Sequence, residues 1–228
     1  MKPPFGWAPA RGPLSCRAVR SLLLLFCGVS LVACGHVTSV RPAPKDAVQA
    51  EAALGGPLVR LSGLVLPVPL TTAGARYGLG DTYDVAAHVH LTSLSFGVAG
   101  LDVGSTWMPL SQQGALPALS LSGRLYGFTN LRDGPRAYLE LTGSASYLAG
   151  EHFLTYLSGT TLVQFAGGYP LYALAFGEEL RFGRFGLQAE VRWYEPNVAT
   201  RFQVVDWVPV LGQGGLGVIV GVNYRFGG

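Results

Sequence analysis

The chain has 228 residues, 49% of them hydrophobic and only 13% charged, with a formal charge of +3. One domain suffices for this length, and so few charges make a poor wetted surface. From Gly35 onward twelve Arg and Lys face thirteen Asp and Glu, which gives no case for nucleic acid or an acidic partner. The three cysteines are Cys16, Cys27 and Cys34, so nothing downstream can form a disulfide framework, a CxxC pair or a zinc knuckle.

The chain opens with Lys2, Arg11, Arg17 and Arg20, carries no acid before Asp46, and runs apolar from Leu22 to Ala33. About a dozen apolar residues fall short of the roughly 20 that cross a bilayer as a helix, and with the basic leader they read as a secretory signal over 1–33. Its end, Leu31-Val32-Ala33-Cys34-Gly35, resembles a bacterial lipobox. That resemblance implies cleavage before Cys34, a diacylglyceryl group on its sulfur and a third acyl chain on its amine. Gly35, where an Asp would retain the protein at the inner membrane, implies transport to the outer membrane by the lipoprotein export machinery. An ordinary signal peptide with a chance cysteine is the competing reading. Residues 34–56 read as a lipidated tether, extended at "RPAP" and partly helical over "KDAVQAEAAL", stopped by Gly55-Gly56.

From Pro57 to residue 228 the texture becomes dyadic. In "YDVAAHVHLT", Tyr83, Val85, Ala87, Val89 and Leu91 share one face and Asp84, His88 and His90 the other; "ALSLSGRLYGF", "AYLELTGSASY", "FGLQAEVRWY" and "GVIVGVNYRF" alternate likewise. The predicted strands are 57–66, 71–79, 83–92, 97–108, 118–128, 136–148, 153–165, 170–181, 185–194 and 215–226. Ten is even, as bacterial membrane barrels require; eight is the alternative if "VRLSGLVLPVPL" is a plug or tether. Pro67 and Pro69 weaken the first hairpin, since proline donates nothing to a ladder.

A soluble lipocalin-like barrel would turn its apolar faces inward and a membrane barrel outward. Scarce charge favours the membrane, as do aromatics at segment ends. Tyr77, Tyr83, Trp107, Tyr147, Phe153, Phe182, Phe185, Tyr224 and Phe226 fall at one rim, and Phe96, Phe165, Tyr169 and Trp193 at the other. The last strand, with Gly221, Tyr224 and Phe226, resembles the signal read by the outer-membrane barrel assembly machinery, departing in its terminal Gly227-Gly228 and in Ile219 where a polar residue is usual. By pattern, 57–228 resembles small outer-membrane β-barrels. The expected fold is therefore all-β: a closed antiparallel up-and-down transmembrane barrel with a polar, side-chain-filled interior. Both ends are expected at the periplasmic rim, with the longest connection, 195–213, outside and the lipid on Cys34 at the inner leaflet.

The expected lumenal network is Arg76, Asp84, His88, His90, Asp102, Arg124, Glu140, Glu179, Glu190 and Arg192, extended by Arg60, Arg181 and Arg225. Turn centres at Gly80 and Arg132 set Arg76 opposite Asp84 and Arg124 opposite Glu140 as ion pairs. Glu178 falls on the lipid face unless a bulge at Gly177 turns it inward. The pair His88 and His90 beside Asp84 and Asp102 is a weak metal or acid–base signal, and structural histidines are the expectation. No nucleophile elbow, P-loop, dinucleotide fingerprint or HExxH occurs, so no enzyme activity, catalytic residue, metal or cofactor is expected. The leading expectation is an outer-membrane barrel lipoprotein with a structural or surface-binding role, its external ligand unspecified, acting through Phe202, Val204 and Trp207 of the long loop. The alternatives are a narrow channel or small-solute transporter, an outer-membrane hydrolase, and a lipid-anchored soluble barrel.

Overall fold

The computed structural model describes residues 35–227 except 62, 131, 133, 203 and 204; the predicted signal segment 1–33, Cys34, Val204 and the side chain of Phe202 lie outside what it describes. The strands are β1 (Val48–Leu61), β2 (Leu64–Pro67), β3 (Leu70–Gly78), β4 (Tyr83–His90), β5 (Ala99–Leu110), β6 (Ala118–Thr129), β7 (Arg136–Ala149), β8 (Phe153–Gln164), β9 (Leu171–Phe182), β10 (Phe185–Ala199) and β11 (Gln213–Phe226). A five-residue helix, α1 (Leu91–Ser95), follows β4. Each strand pairs antiparallel with its neighbour, and β11 pairs with β1, so the sheet closes on itself. β2 and β3 form one crossing broken at Val68-Pro69: β2 pairs with Leu58–Leu61 and β3 with Val48–Gly55. The result is a ten-stranded barrel. The break sits where Pro67 and Pro69 remove ladder donors.

The side chains divide as a membrane barrel requires. Leu101, Val103, Leu121, Leu125, Leu157, Leu174 and Val220 are exposed on the outside, whereas Arg76, Asp84, Asp102, Arg124, Glu140 and Glu190 are buried within. Tyr77, Tyr83, Trp107, Tyr147, Phe153, Phe182, Phe185, Tyr224 and Phe226 are all exposed and circle the rim that carries the short turns. Phe96, Phe165 and Tyr169 are exposed at the opposite rim, where the longer connections lie, and Trp193 is half-buried there.

The first strand begins nine residues earlier than the dyad pattern placed it. The predicted tether 34–56 is not helical over "KDAVQAEAAL", because Val48–Gly55 pairs with both β3 and β11. Alanine-rich sequence favours helix in isolation, but this segment lies between two strand edges whose unpaired N–H and C=O groups it satisfies, and that outweighs propensity. Its alternation is muted because the outward residues are Val48, Ala50, Ala52 and Leu54 and the inward ones Glu51, Ala53 and Gly55.

Ahead of β1 the chain does something the sequence reading missed. At the short-turn rim Asp46 N–H donates to Gly78 O (2.9 Å) and Gly78 N–H to Ala47 O (3.1 Å), a tight reversal that sends residues 44–35 up the lumen. His36, Val37, Thr38, Ser39 and Val40 are all buried. Ala43 lies by Asp84 at the start of β4, while Gly35 lies by Leu70, the first residue of β3, and by Gly55. Eight residue steps at about 3.3 Å span roughly 26 Å, close to the ~25 Å apolar band of such barrels. Gly35 thus lies toward the long-connection rim. The chain ahead of β1 is expected at the short-turn rim with the C-terminus; this inner crossing, which adds an odd one to an even ten, carries Gly35 toward the other rim instead.

Three smaller corrections concern side chains. Arg60 is not lumenal: it is exposed beyond the barrel wall, 3.7 Å from Asp206. Glu178 stays on the outer face, because β9 and β10 pair without a bulge from Phe182 to Ala173; four residues from the rim aromatic Phe182, its depth cost is that of the interface rather than of the midplane. Trp207 is half-buried rather than presented to solvent. Above Pro57↔Gly217 strands β1 and β11 diverge, and the long loop fills the gap: Val208 N–H donates to Leu58 O (3.0 Å) and Leu216 N–H to Val208 O (2.7 Å). Two bare edges would otherwise face each other there.

Placing a cation in the apolar band should separate this barrel from a soluble one. Leu125→Arg is expected to lower the unfolding free energy in lipid vesicles by about 2–4 kcal/mol, measured by denaturant titration. Leu66→Arg, on the exposed tip of β2, should leave it unchanged.

Candidate functional site: the plugged lumen

The ten residues of the predicted lumenal network from Arg76 to Arg192 all face inward and are buried, whereas of its extension Arg60 is outside and Arg181 and Arg225 are half-buried. What sequence reasoning lacked was the object they surround. Residues 35–44 form a strap along the barrel axis with polar backbone groups that need partners away from bulk water, and the wall supplies them.

At the short-turn end Asp84 accepts from Ala43 N–H (2.7 Å) and from Thr106 N–H (3.1 Å), and is paired with Arg76. Arg76 in turn donates to Arg41 O at 2.9 Å. The predicted Arg76–Asp84 pair forms, although diagonally: the turn centres at Asp81, so Arg76 stands opposite Ala86 and Gly78 opposite Asp84. Arg41 reaches from the strap to Gln112 Oε1 (2.7 Å) and Ser146 Oγ (3.1 Å).

In the middle, Glu190 accepts from Thr38 N–H (2.9 Å), Tyr156 O–H (2.8 Å) and Arg192 Nε–H (2.8 Å). Arg192 also donates to Thr38 Oγ1 (3.1 Å) and His36 O (3.2 Å). One carboxylate and one guanidinium on the same strand therefore hold the strap at both His36 and Thr38. Tyr156 needs room to reach Glu190, and Gly177 provides it: a Cβ there would lie 2.3 Å from the phenol.

Toward the other end, His36 Nε2 lies 3.2 Å from Glu140 Oε1, and Tyr126 O–H donates to Glu140 Oε2 at 3.0 Å. Arg124 and Glu140 stand opposite each other as the register predicted. Their ion pair does not form. Arg124 pairs with Asp102 (2.8 Å), leaving Glu140 to the strap. His88 and His90 both converge on Asp102, at 2.8 and 2.9 Å, and the second nitrogen of His88 lies 2.5 Å from Glu51. Among the described residues no group of three or more His, Cys, Asp or Glu is arranged to hold a metal ion. Chemically, the arrangement is a network of charge-assisted hydrogen bonds in which Arg76 Nε is left without a partner among the described residues.

Glu179 completes the predicted set, accepting from Arg181 (3.0 Å) and Asn223 (3.2 Å). Of the predicted assembly-signal residues, Tyr224 and Phe226 face outward with ring centroids 4.7 Å apart, and Gly221 faces the strap, where a Cβ would lie 2.9 Å from Val37. Ile219, the odd apolar residue on the polar face, is fully buried with Val37 and Ala53. An apolar lumenal residue on β11 thus meets an apolar strap residue.

Sequence reasoning missed Glu51, His36, Thr38 and Arg41. The local signal is weak: "HVTSV" alternates much as the strands do, but nothing in its pattern distinguishes a wall strand from a lumenal filling.

No family model matches the chain, and no curated protein matches it. Its structure is similar to the NanC porin, at 10% identity and a TM-score of 0.43, covering 79% of this chain and 99% of that one. It is similar to an outer membrane channel from Pseudomonas putida F1, at 10% identity and TM-score 0.45, covering 84% and 100%. The translocator domain of autotransporter NalP from Neisseria meningitidis gives 10% identity and TM-score 0.41, covering 91% and 96%. The fold itself, a closed antiparallel barrel with an apolar exterior and a polar interior, is of the outer-membrane type.

Removing one partner from a buried charged set leaves the others uncompensated. Asp102→Ala is expected to cost about 3–5 kcal/mol, seen as a lower temperature for loss of the compact band on unheated gels. Glu178→Leu, on the outer face, should not lower it.

Proposed function

We propose that this chain is an outer-membrane lipoprotein whose barrel is closed by its own N-terminal strap, with a structural or surface-binding role and no catalysis. The observation that carries this reading is the strap: His36–Val40 occupy the axis of the barrel and take their partners from Glu140, Glu190, Arg192 and Ser120. Beyond its short-turn mouth, a lumen whose charges are committed to backbone and side chains of the same chain leaves a solute no open path through the barrel.

The long connections lie outside in this reading, as in outer-membrane barrels generally. Gly35 lies toward those connections, and in this reading a lipid on the residue before it enters the outer leaflet. The lipid and the C-terminus are then on opposite faces of the membrane in this reading. The exposed tip formed by Leu61, Leu64, Val65 and Leu66 is the apolar surface offered on the same side. It replaces Trp207, which is engaged in the seam.

Two measurements test the reading. In planar bilayers the full chain should pass no steady current, whereas a variant lacking residues 36–43 that keeps its heat-modifiable band should conduct; steady current through the intact chain would overturn the plug. Labelled palmitate should be incorporated by the wild type and not by Cys34→Ala, which stays in the membrane fraction because the strands span. Labelling that survives Cys34→Ala would remove the lipoprotein assignment while leaving the barrel intact.

A further inference from the structure

At the short-turn mouth of the lumen lies a half-open recess of about 150 Å³. Five guanidinium side chains line it, those of Arg41, Arg76, Arg181, Arg184 and Arg225, with one carboxylate, Glu179. Arg76 is neutralised by Asp84, and Arg181 by Glu179 at 3.0 Å. The remaining three have no such partner. Arg41 donates to Gln112 Oε1 and Ser146 Oγ, and Arg225 donates to Gly183 O at 3.2 Å, which are dipoles rather than charges. Among the described residues no carboxylate forms an ion pair with Arg41, Arg184 or Arg225.

This surplus is local. Deeper in the lumen the carboxylates keep pace with the cations: Asp102 holds Arg124, Glu190 holds Arg192, and Glu51 and Glu140 are taken by histidines. Guanidinium groups gathered in a partly desolvated recess repel one another unless an anion joins them. Their planar forks match tetrahedral oxyanions, and a recess of this volume admits one phosphate-sized group and little more. Glu179 is paired with Arg181, so those two together add no net charge to the recess.

We propose that this recess binds a phosphate group, through Arg41, Arg184 and Arg225. The mouth opens beside Phe185, on the aromatic rim where lipid headgroups lie, so the phosphate belongs either to an anionic phospholipid or to a small soluble phosphate compound. The site goes beyond the plugged-barrel reading and does not require the lipid at Cys34.

The test uses the full chain purified in an uncharged detergent. Inorganic phosphate is titrated in one arm and phosphatidylglycerol in mixed micelles in the other, against chloride at matched ionic strength. The readouts are the temperature of the heat-modifiable transition and bound mass by native mass spectrometry. Saturable stabilisation is expected in at least one arm, with affinity falling at least tenfold in Arg184→Gln/Arg225→Gln; those two side chains lie at the rim rather than in the buried network. Arg184→Lys/Arg225→Lys keeps the charge and loses the forks, and should fall in between. Binding of phosphatidylglycerol alone identifies a headgroup as the source, and binding of inorganic phosphate identifies a soluble one. Stabilisation no greater than with chloride in both arms, or full affinity in the Gln double variant with its compact band intact, would overturn the site. A current through the intact barrel would touch only the plug.

Discussion

The structure depends on one constraint: in a bilayer each backbone and ionised group must find its partner within the protein. For the wall the solution is closure, β11 onto β1, which removes both edges. For the interior, closure raises the same problem again. Ten strands enclose a space lined by Arg, Asp, Glu and His side chains that cannot satisfy one another alone, as Arg124 shows by choosing Asp102 and leaving Glu140 without its facing cation. The strap resolves it. His36 takes Glu140, Thr38 takes Glu190, and the carbonyls of His36 and Arg41 take Arg192 and Arg76.

Wall and strap are therefore one unit rather than a container and its content. Small residues make the fit possible, as where Gly35 passes Gly55 and Leu70 so closely that a Cβ would lie 2.3 Å from Leu70 Cβ. The apolar lumenal residue Ile219 belongs to the same logic, since it meets Val37 and Ala53. Removing any such contact acts on both partners, and the energies are not separable by single substitutions.

The inner crossing also sets the topology. Ten strands alone would bring both ends of the folded region to one side, and the strap carries the N-terminal end to the other. An apolar tip at one end and a cationic mouth at the other give the two faces of this barrel distinct chemistries. The apolar tip at Leu61–Leu66 stands on the first face and the Arg41–Arg184–Arg225 recess on the second.

The amino-acid sequence by itself determined the strands from residue 71 onward, which residues face lipid, the two aromatic rims and the ten lumenal network residues from Arg76 to Arg192, because a period of two beside a low-dielectric solvent leaves a charged residue away from the interfaces only one affordable face. It also determined the weak ladder at Pro67 and Pro69. Tertiary structure decided what local pattern cannot encode. "KDAVQAEAAL" became strand because two edges flanked it; the 35–44 segment became the filling because the lumen needed partners; Trp207 entered the seam because β1 and β11 part above Pro57. Each of these outcomes is set by groups far apart in the chain, where propensity and periodicity carry no information.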